Sequence, residues 1–271
     1  MAVVLIVAVV GVWLLAFQPA GRPSQKHDAP ATDVPGTHTS DSENVLPIPS
    51  RKVPEQERFL QARREMLKQD LQGRDITDPR VLEAMGSVPR QRFVPDSLKQ
   101  SAYADGPLPI GHGQTISQPY IVALMTQLVC PPPQGRALDV GTGSGYQAAV
   151  LAVLCKQVYS IEIIKPLAES ADERLDELGY DNVTVRHGDG YRGWPEHAPF
   201  DAIIVAAAPD HVPQPLIDQL APGGKLVIPV GEYYQELIFI EKLADGTVRR
   251  KSVAGVAFVP MTGEAQTDEP R

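Results

Sequence analysis

Ser117 lies in the polar, glycine-bearing stretch GHGQTISQPY (residues 111–120), just ahead of the apolar run IVALMTQLV. A serine nucleophile needs a base to take its proton, and the nearest histidine in the chain, His112, sits in the same loop with little claim to a direct role. Serine is also a favoured helix cap, and a helix is expected to begin near Pro119. A second group of residues carries binding chemistry. The strand-like run RALDV leads straight into GTGSGYQAAVLA, so Asp139, Gly141, Gly143, Ser144 and Gly145 form a tight strand-to-helix turn in which the backbone can approach a ligand closely. Free N–H groups and the helix dipole face whatever binds there. The spacing is G-x-G-x-G, not the dinucleotide G-x-G-x-x-G, which disfavours an NAD or nucleotide-sugar enzyme.

Two carboxylates complete the pattern. Glu162 ends the next strand, VYSIE, about 20 residues beyond the first glycine, where an acid can accept hydrogen bonds from both hydroxyls of a ribose. Asp189, in GDGY after the third strand, can accept from an adenine amino group while Gly190 leaves room for the ring. Three consecutive strand ends converge where open α/β sheets bind ligands. Together they point to an adenosine-bearing cofactor.

The elements that must position these residues read as an α/β fold, a doubly wound and mainly parallel sheet with helices on both faces. RALDV, QVYSIEI, VTVRH, DAIIVAA and KLVIPV are strand-like, and YQAAVLAVLC, PLAESADERLDELG and PQPLIDQL lie between them as helices. QELIFIEKLADGTVRRKSV reads as closing strands with a turn at Asp245–Gly246. A helical preface precedes the sheet. EQERFLQARREMLKQDLQG predicts one helix ending before Gly73, and ITDPRVLEAMGSVPR predicts a second, capped by Asp78, begun at Pro79 and ended by Gly86.

The chain has 271 residues, 43% of them hydrophobic, enough for one sizeable domain with extensions. Its formal charge of −8 argues against a nucleic-acid binder, which needs a basic face. Cys130 and Cys155, the two cysteines, show no metal-ligand spacing; they are expected to be buried small hydrophobes, and no metal is expected. Residues 1–17 are apolar and read as a membrane anchor or signal-like segment, or else as the product of a start codon placed upstream of a soluble enzyme. Arg22 and Lys26 beyond it favour a cytoplasmic catalytic domain over an exported one. Residues 18–50, rich in Pro, Ser, Thr, Asp and Gly, read as a disordered tether, leaving residues 51–271 as the catalytic domain.

From about residue 55 to 260 the chain resembles class I S-adenosylmethionine methyltransferases, and within them the protein-L-isoaspartate (D-aspartate) O-methyltransferase family. The matching stretches are DPRVLEAMGSVPRQRFVP, LPIGHGQTISQPYIVALMTQL, LDVGTGSGYQAAVLA, VYSIE, GDGYRGWPEHAPFDAIIV and LAPGGKLVIPVG. The block around GQTISQPY is the most specific, since generic methyltransferases lack it. The resemblance implies S-adenosyl-L-methionine as cofactor and age-damaged proteins with isoaspartyl residues as partners, acted on by a monomer. It implies methylation of the free carboxylate of L-isoaspartyl (and D-aspartyl) residues, initiating repair: the ester leaves through a succinimide and part of the product regains the normal aspartyl linkage. It places the family's active-site serine at Ser117, with Thr115 and Ile116 beside the cofactor. A carboxylic acid with a pKa of about 4 is already ionised at neutral pH, so this serine needs no base. The chain departs from the family in Ala206, where threonine is usual, and Ala257, where arginine is common. The alternatives are a small-molecule carboxyl methyltransferase of the same fold and a binding protein that has lost turnover.

Overall fold

The computed structural model describes residues 55–266. The expected anchor at 1–17 and tether at 18–50 lie outside the described residues, among which no helix is long and apolar enough to cross a membrane. Six helices, α1 (Glu55–Glu65), α2 (Pro79–Ser87), α3 (Pro119–Val129), α4 (Tyr146–Leu154), α5 (Lys165–Glu177) and α6 (Gln214–Asp218), surround a seven-stranded sheet. A separate antiparallel hairpin, β1 (Leu108–Gly111) with β2 (Gln114–Ile116), precedes α3.

The sheet strands are β3 (Arg136–Val140), β4 (Gln157–Glu162), β5 (Val183–His187), β6 (Phe200–Val205), β7 (Leu220–Val230), β8 (Gln235–Lys242) and β9 (Val248–Val256). Their order is β5-β4-β3-β6-β7-β8-β9. The first five are parallel, and β8 and β9 are added antiparallel at one edge. The chain winds outward from β3 to β5 and then returns to place β6 on the other side of β3. The crevice at the carboxyl end of β3 is therefore the switch point where such sheets bind ligands.

Parallel strands covered on both faces must be apolar on both sides. Alternation sends Ala137, Ala202, Ile204 and Val227 into a core shared with α2, α3 and α4, and Leu138, Val140, Ile203, Val205 and Ile228 into a second core with Tyr191, Trp194 and α6.

The preface differs from expectation in two places. Beyond Glu65 the first helix continues with π winding through Met66–Leu71, where Gln72 N–H donates to Leu67 O at 2.9 Å and Gly73 N–H to Lys68 O at 3.1 Å. This i→i+5 winding brings Met66 and Leu71, five residues apart, onto one buried side. Asp78 caps α2 as expected, its side chain accepting from Arg80 N–H at 2.8 Å. Gly86 does not end the helix; it lies within it, and a Cβ there would come within 3.2 Å of Leu67 Cδ1. The helix stops after Ser87 because Val88 precedes Pro89 and must be extended. Cys155 is buried, but Cys130 is only half-buried and donates its thiol to Asp78 Oδ2.

Candidate functional site

The turn after β3 is shaped by its glycines. Gly145 is the left-handed residue at the start of α4 (φ 87°), where a Cβ would press within 3.2 Å of Leu175 on α5. Gly143 N–H donates to Glu162 Oε2 at 2.8 Å, and Ile164 N–H donates to Oε1 at 2.9 Å. The Glu162 carboxylate, 5% exposed, thus ties the glycine turn to the turn after β4. Each oxygen retains a lone pair for a second donor, so the pair of ribose hydroxyls expected there has acceptors waiting.

Asp189 accepts from Tyr191 N–H through Oδ1 at 2.9 Å and from Glu264 N–H through Oδ2 at 2.8 Å. It caps the short turn Gly190–Arg192 and anchors the C-terminal segment at once. Gly190 is required by packing, since a Cβ there would collide with Val140 Cγ1.

Thr115, Ile116, Ser117, Gly141, Gly143, Ser144, Glu162, Asp189 and Gly190 all line one cavity at the carboxyl ends of β3, β4 and β6. Asp139 and Gly145 do not, although both were expected in the cofactor site. Gly145 acts through helix packing. Asp139 is fully buried behind the turn, accepting from Ser160 Oγ at 2.7 Å, with Ser160 in turn 2.6 Å from Thr142 Oγ1. Because Ser160 spends its proton on Asp139, Thr142 is the donor in that second bond, and the chain braces the wall from behind.

Burial pushes the Asp139 carboxyl up to about 7; the Ser160 bond opposes the shift and the Glu162 charge adds to it. The unfolded group titrates at about 4. Between these values the folded state holds a proton that the unfolded chain has released, so stability falls as pH rises through the window. Asp139→Asn removes this loss, an effect of up to about 4 kcal/mol. In urea melts the variant should gain on the parent between pH 4 and pH 8; a stability difference independent of pH would contradict the assignment.

Ser117 does not cap α3. Gln118 is the cap residue and makes no side-chain capping bond. Ser117 is half-buried, and its hydroxyl has no hydrogen-bond partner among the described residues. Its backbone is held firmly instead. Arg90 Nη2 donates to Ser117 O at 2.7 Å, and Arg90 Nε donates to Ala102 O at 2.7 Å. The Arg90 side chain is 0% exposed, and its guanidinium lies 4.8 Å from the ring centroid of Tyr146, the first residue of α4 and part of the cavity wall. Burial draws the guanidinium below its ordinary value while Tyr146 supports it, and burial pushes the Tyr146 phenol up to about 12.

No sequence signal marks Arg90, because an arginine in VPRQRFVP reads as an exposed charge. His112 sits at the exposed tip of the β1–β2 hairpin with φ 53° and lines neither cavity. A second cavity adjoins the first and shares Thr115, Ser117, Ala206 and Val259 with it; Ala257 lines this second space.

Comparison with known proteins identifies the family. A family model described as protein-L-isoaspartate(D-aspartate) O-methyltransferase matches residues 61–266. A protein-L-isoaspartate O-methyltransferase 2 from Polaromonas sp. is 59% identical over 194 residues, 71% of this chain and 92% of the relative. A protein-L-isoaspartate O-methyltransferase from Synechococcus sp. is 54% identical over 233 residues, 83% of this chain and 95% of the relative. One solved protein-L-isoaspartate O-methyltransferase superposes with a TM-score of 0.68 at 28% identity, covering 75% of this chain and 67% of its own. A second, from Plasmodium falciparum and in complex with S-adenosyl-L-homocysteine, gives 0.65 at 31% identity, covering 74% of this chain and 98% of its own.

Proposed function

The chain belongs to the protein-L-isoaspartate (D-aspartate) O-methyltransferase family, and from that premise we propose how its two adjoining cavities divide the reaction. The protein methylates the free carboxylate of isoaspartyl residues in damaged proteins, using S-adenosyl-L-methionine, and so initiates repair. When bound, S-adenosyl-L-methionine supplies a methyl group on a positively charged sulfur.

The first cavity holds the donor. Glu162 takes the ribose hydroxyls, Asp189 and Gly190 border the adenine, and the turn Gly141–Ser144 together with Thr115 and Ile116 closes around the remainder. The second cavity holds the acceptor segment. Ser117, shared by both, donates its unengaged hydroxyl to the acceptor carboxylate and fixes the direction of attack. The carboxylate arrives ionised, so the protein abstracts no proton; it orients two reactants and keeps water from the carboxylate. Ala206 and Ala257 lie on the acceptor walls and leave Ser117, Glu162 and Asp189 in place.

The observation that carries this reading is Ser117 itself, pinned through its carbonyl, free at its hydroxyl and standing between the cavities. A hydrogen bond to a charged group contributes about 1.5–3 kcal/mol. Ser117→Ala should therefore lower kcat/KM for an isoaspartyl peptide by roughly 10- to 100-fold, while S-adenosyl-L-homocysteine binding, read by calorimetry, stays within about twofold. An unchanged kcat/KM would remove Ser117 from the reaction.

A further inference from the structure

The wall of the second cavity has a distinctive charge. Among the described residues lining it there is no lysine, arginine or histidine, and Glu236 is its one carboxylate. At its rim Tyr233 and Tyr234 are 87% and 94% exposed, large aromatic faces left in water on the turn between β7 and β8.

That turn is built, not loose. Gly231 takes φ 129°, where any other residue would be strained, and its N–H donates to Pro209 O at 2.9 Å. The floor opposite is fixed by Gln235, whose Oε1 accepts from Phe258 N–H at 2.6 Å and whose Nε2 donates to Phe258 O at 3.1 Å. The basic run Arg249–Lys251 pairs with Phe239–Glu241, at the far end of β8 from Glu236, which pairs with Gly255. It does not neutralise the rim.

From this charge and aromatic pattern we propose that the acceptor groove selects isoaspartyl segments flanked by lysine or arginine, the cation stacking on Tyr233 or Tyr234 and pairing with Glu236. The inference rests on the reading of this cavity as the acceptor site. A cation over a tyrosine face is attracted by the ring quadrupole, and a carboxylate beside it adds a charge partner. An acidic flank meets the same carboxylate as a repulsion. Ala257 on the groove wall carries no charge, so among the described lining residues no cation offsets Glu236.

The test compares two isoaspartyl peptides of one core sequence, with lysine on both sides of the isoaspartyl residue in one and glutamate in the other, using the full chain. At low ionic strength kcat/KM should favour the lysine peptide by about fivefold or more, and the preference should shrink as salt is added. Glu236→Gln and the double change Tyr233→Ala with Tyr234→Ala should each bring the ratio towards one. A parental ratio at or below one overturns the proposal, as does a ratio that neither variant alters. Failure to methylate either peptide would defeat the reading of the site and this inference with it, whereas equal methylation of both defeats this inference alone.

Discussion

Glu162→Ala is expected to raise the dissociation constant for S-adenosyl-L-homocysteine by about 100-fold or more and to lower the melting temperature at the same time. The carboxylate is 5% exposed and accepts from Gly143 N–H and Ile164 N–H. Alanine removes the charged acceptor of both part-buried bonds, and a hydrogen bond to a charged group contributes about 1.5–3 kcal/mol. The turn that should receive the donor loses its tie to β4, and the ribose loses its charged acceptor. Charge-assisted bonds are roughly twice as strong as neutral ones, so the binding loss exceeds that of a simple polar deletion. Calorimetry with S-adenosyl-L-homocysteine and a thermal melt read the two effects separately. Binding within about threefold of the parent would place the ribose elsewhere.

Arg90→Met should produce a different signature. Methionine fills much of the space and removes a buried charge that has no carboxylate partner among the described residues, which recovers desolvation free energy. Against this, Ala102 O and Ser117 O lose their donors. These terms oppose one another, so the net stability change should stay within about 2 kcal/mol. Catalysis has no such compensation. Ser117 is released from the contact that also leads, through the Tyr146 ring, to the start of α4 beside the glycine turn. We expect kcat to fall roughly 10- to 100-fold with donor binding nearly unchanged, and Arg90→Lys to recover little, because one ammonium cannot serve both carbonyls with the same fork geometry. A fall in kcat that only tracks the folded fraction would reduce Arg90 to a packing role.

The contrast between these two residues shows what was legible in the chain. Glu162 was found because it ends a recognisable apolar strand at a set distance from a glycine turn, both of them local features. The parallel order of β3 to β7 followed from strands apolar on both faces separated by helical stretches. Arg90 could not be found this way: its burial depends on carbonyls 12 and 27 residues away, brought to it by the fold. Asp139 stands in the same short run as the glycines, yet alternation along β3 turns it behind the cavity, and only the packed sheet shows which face the ligand meets. The first helix ends before Gly73 as its pattern implies, but no local signal marks the change to π winding that places Met66 and Leu71 on one buried side. The groove rim joins the turn at Tyr233–Tyr234 to the segment before α3, a pairing no local pattern announces.

The most direct test of the account is transfer of labelled methyl groups from S-adenosyl-L-methionine to two peptides that differ only in an isoaspartyl or an aspartyl linkage. Base-labile label on the isoaspartyl peptide alone, with its rate of appearance lowered roughly 10- to 100-fold in Ser117→Ala, is the predicted result. Equal labelling of both peptides, or none on either while S-adenosyl-L-homocysteine still binds, would contradict it.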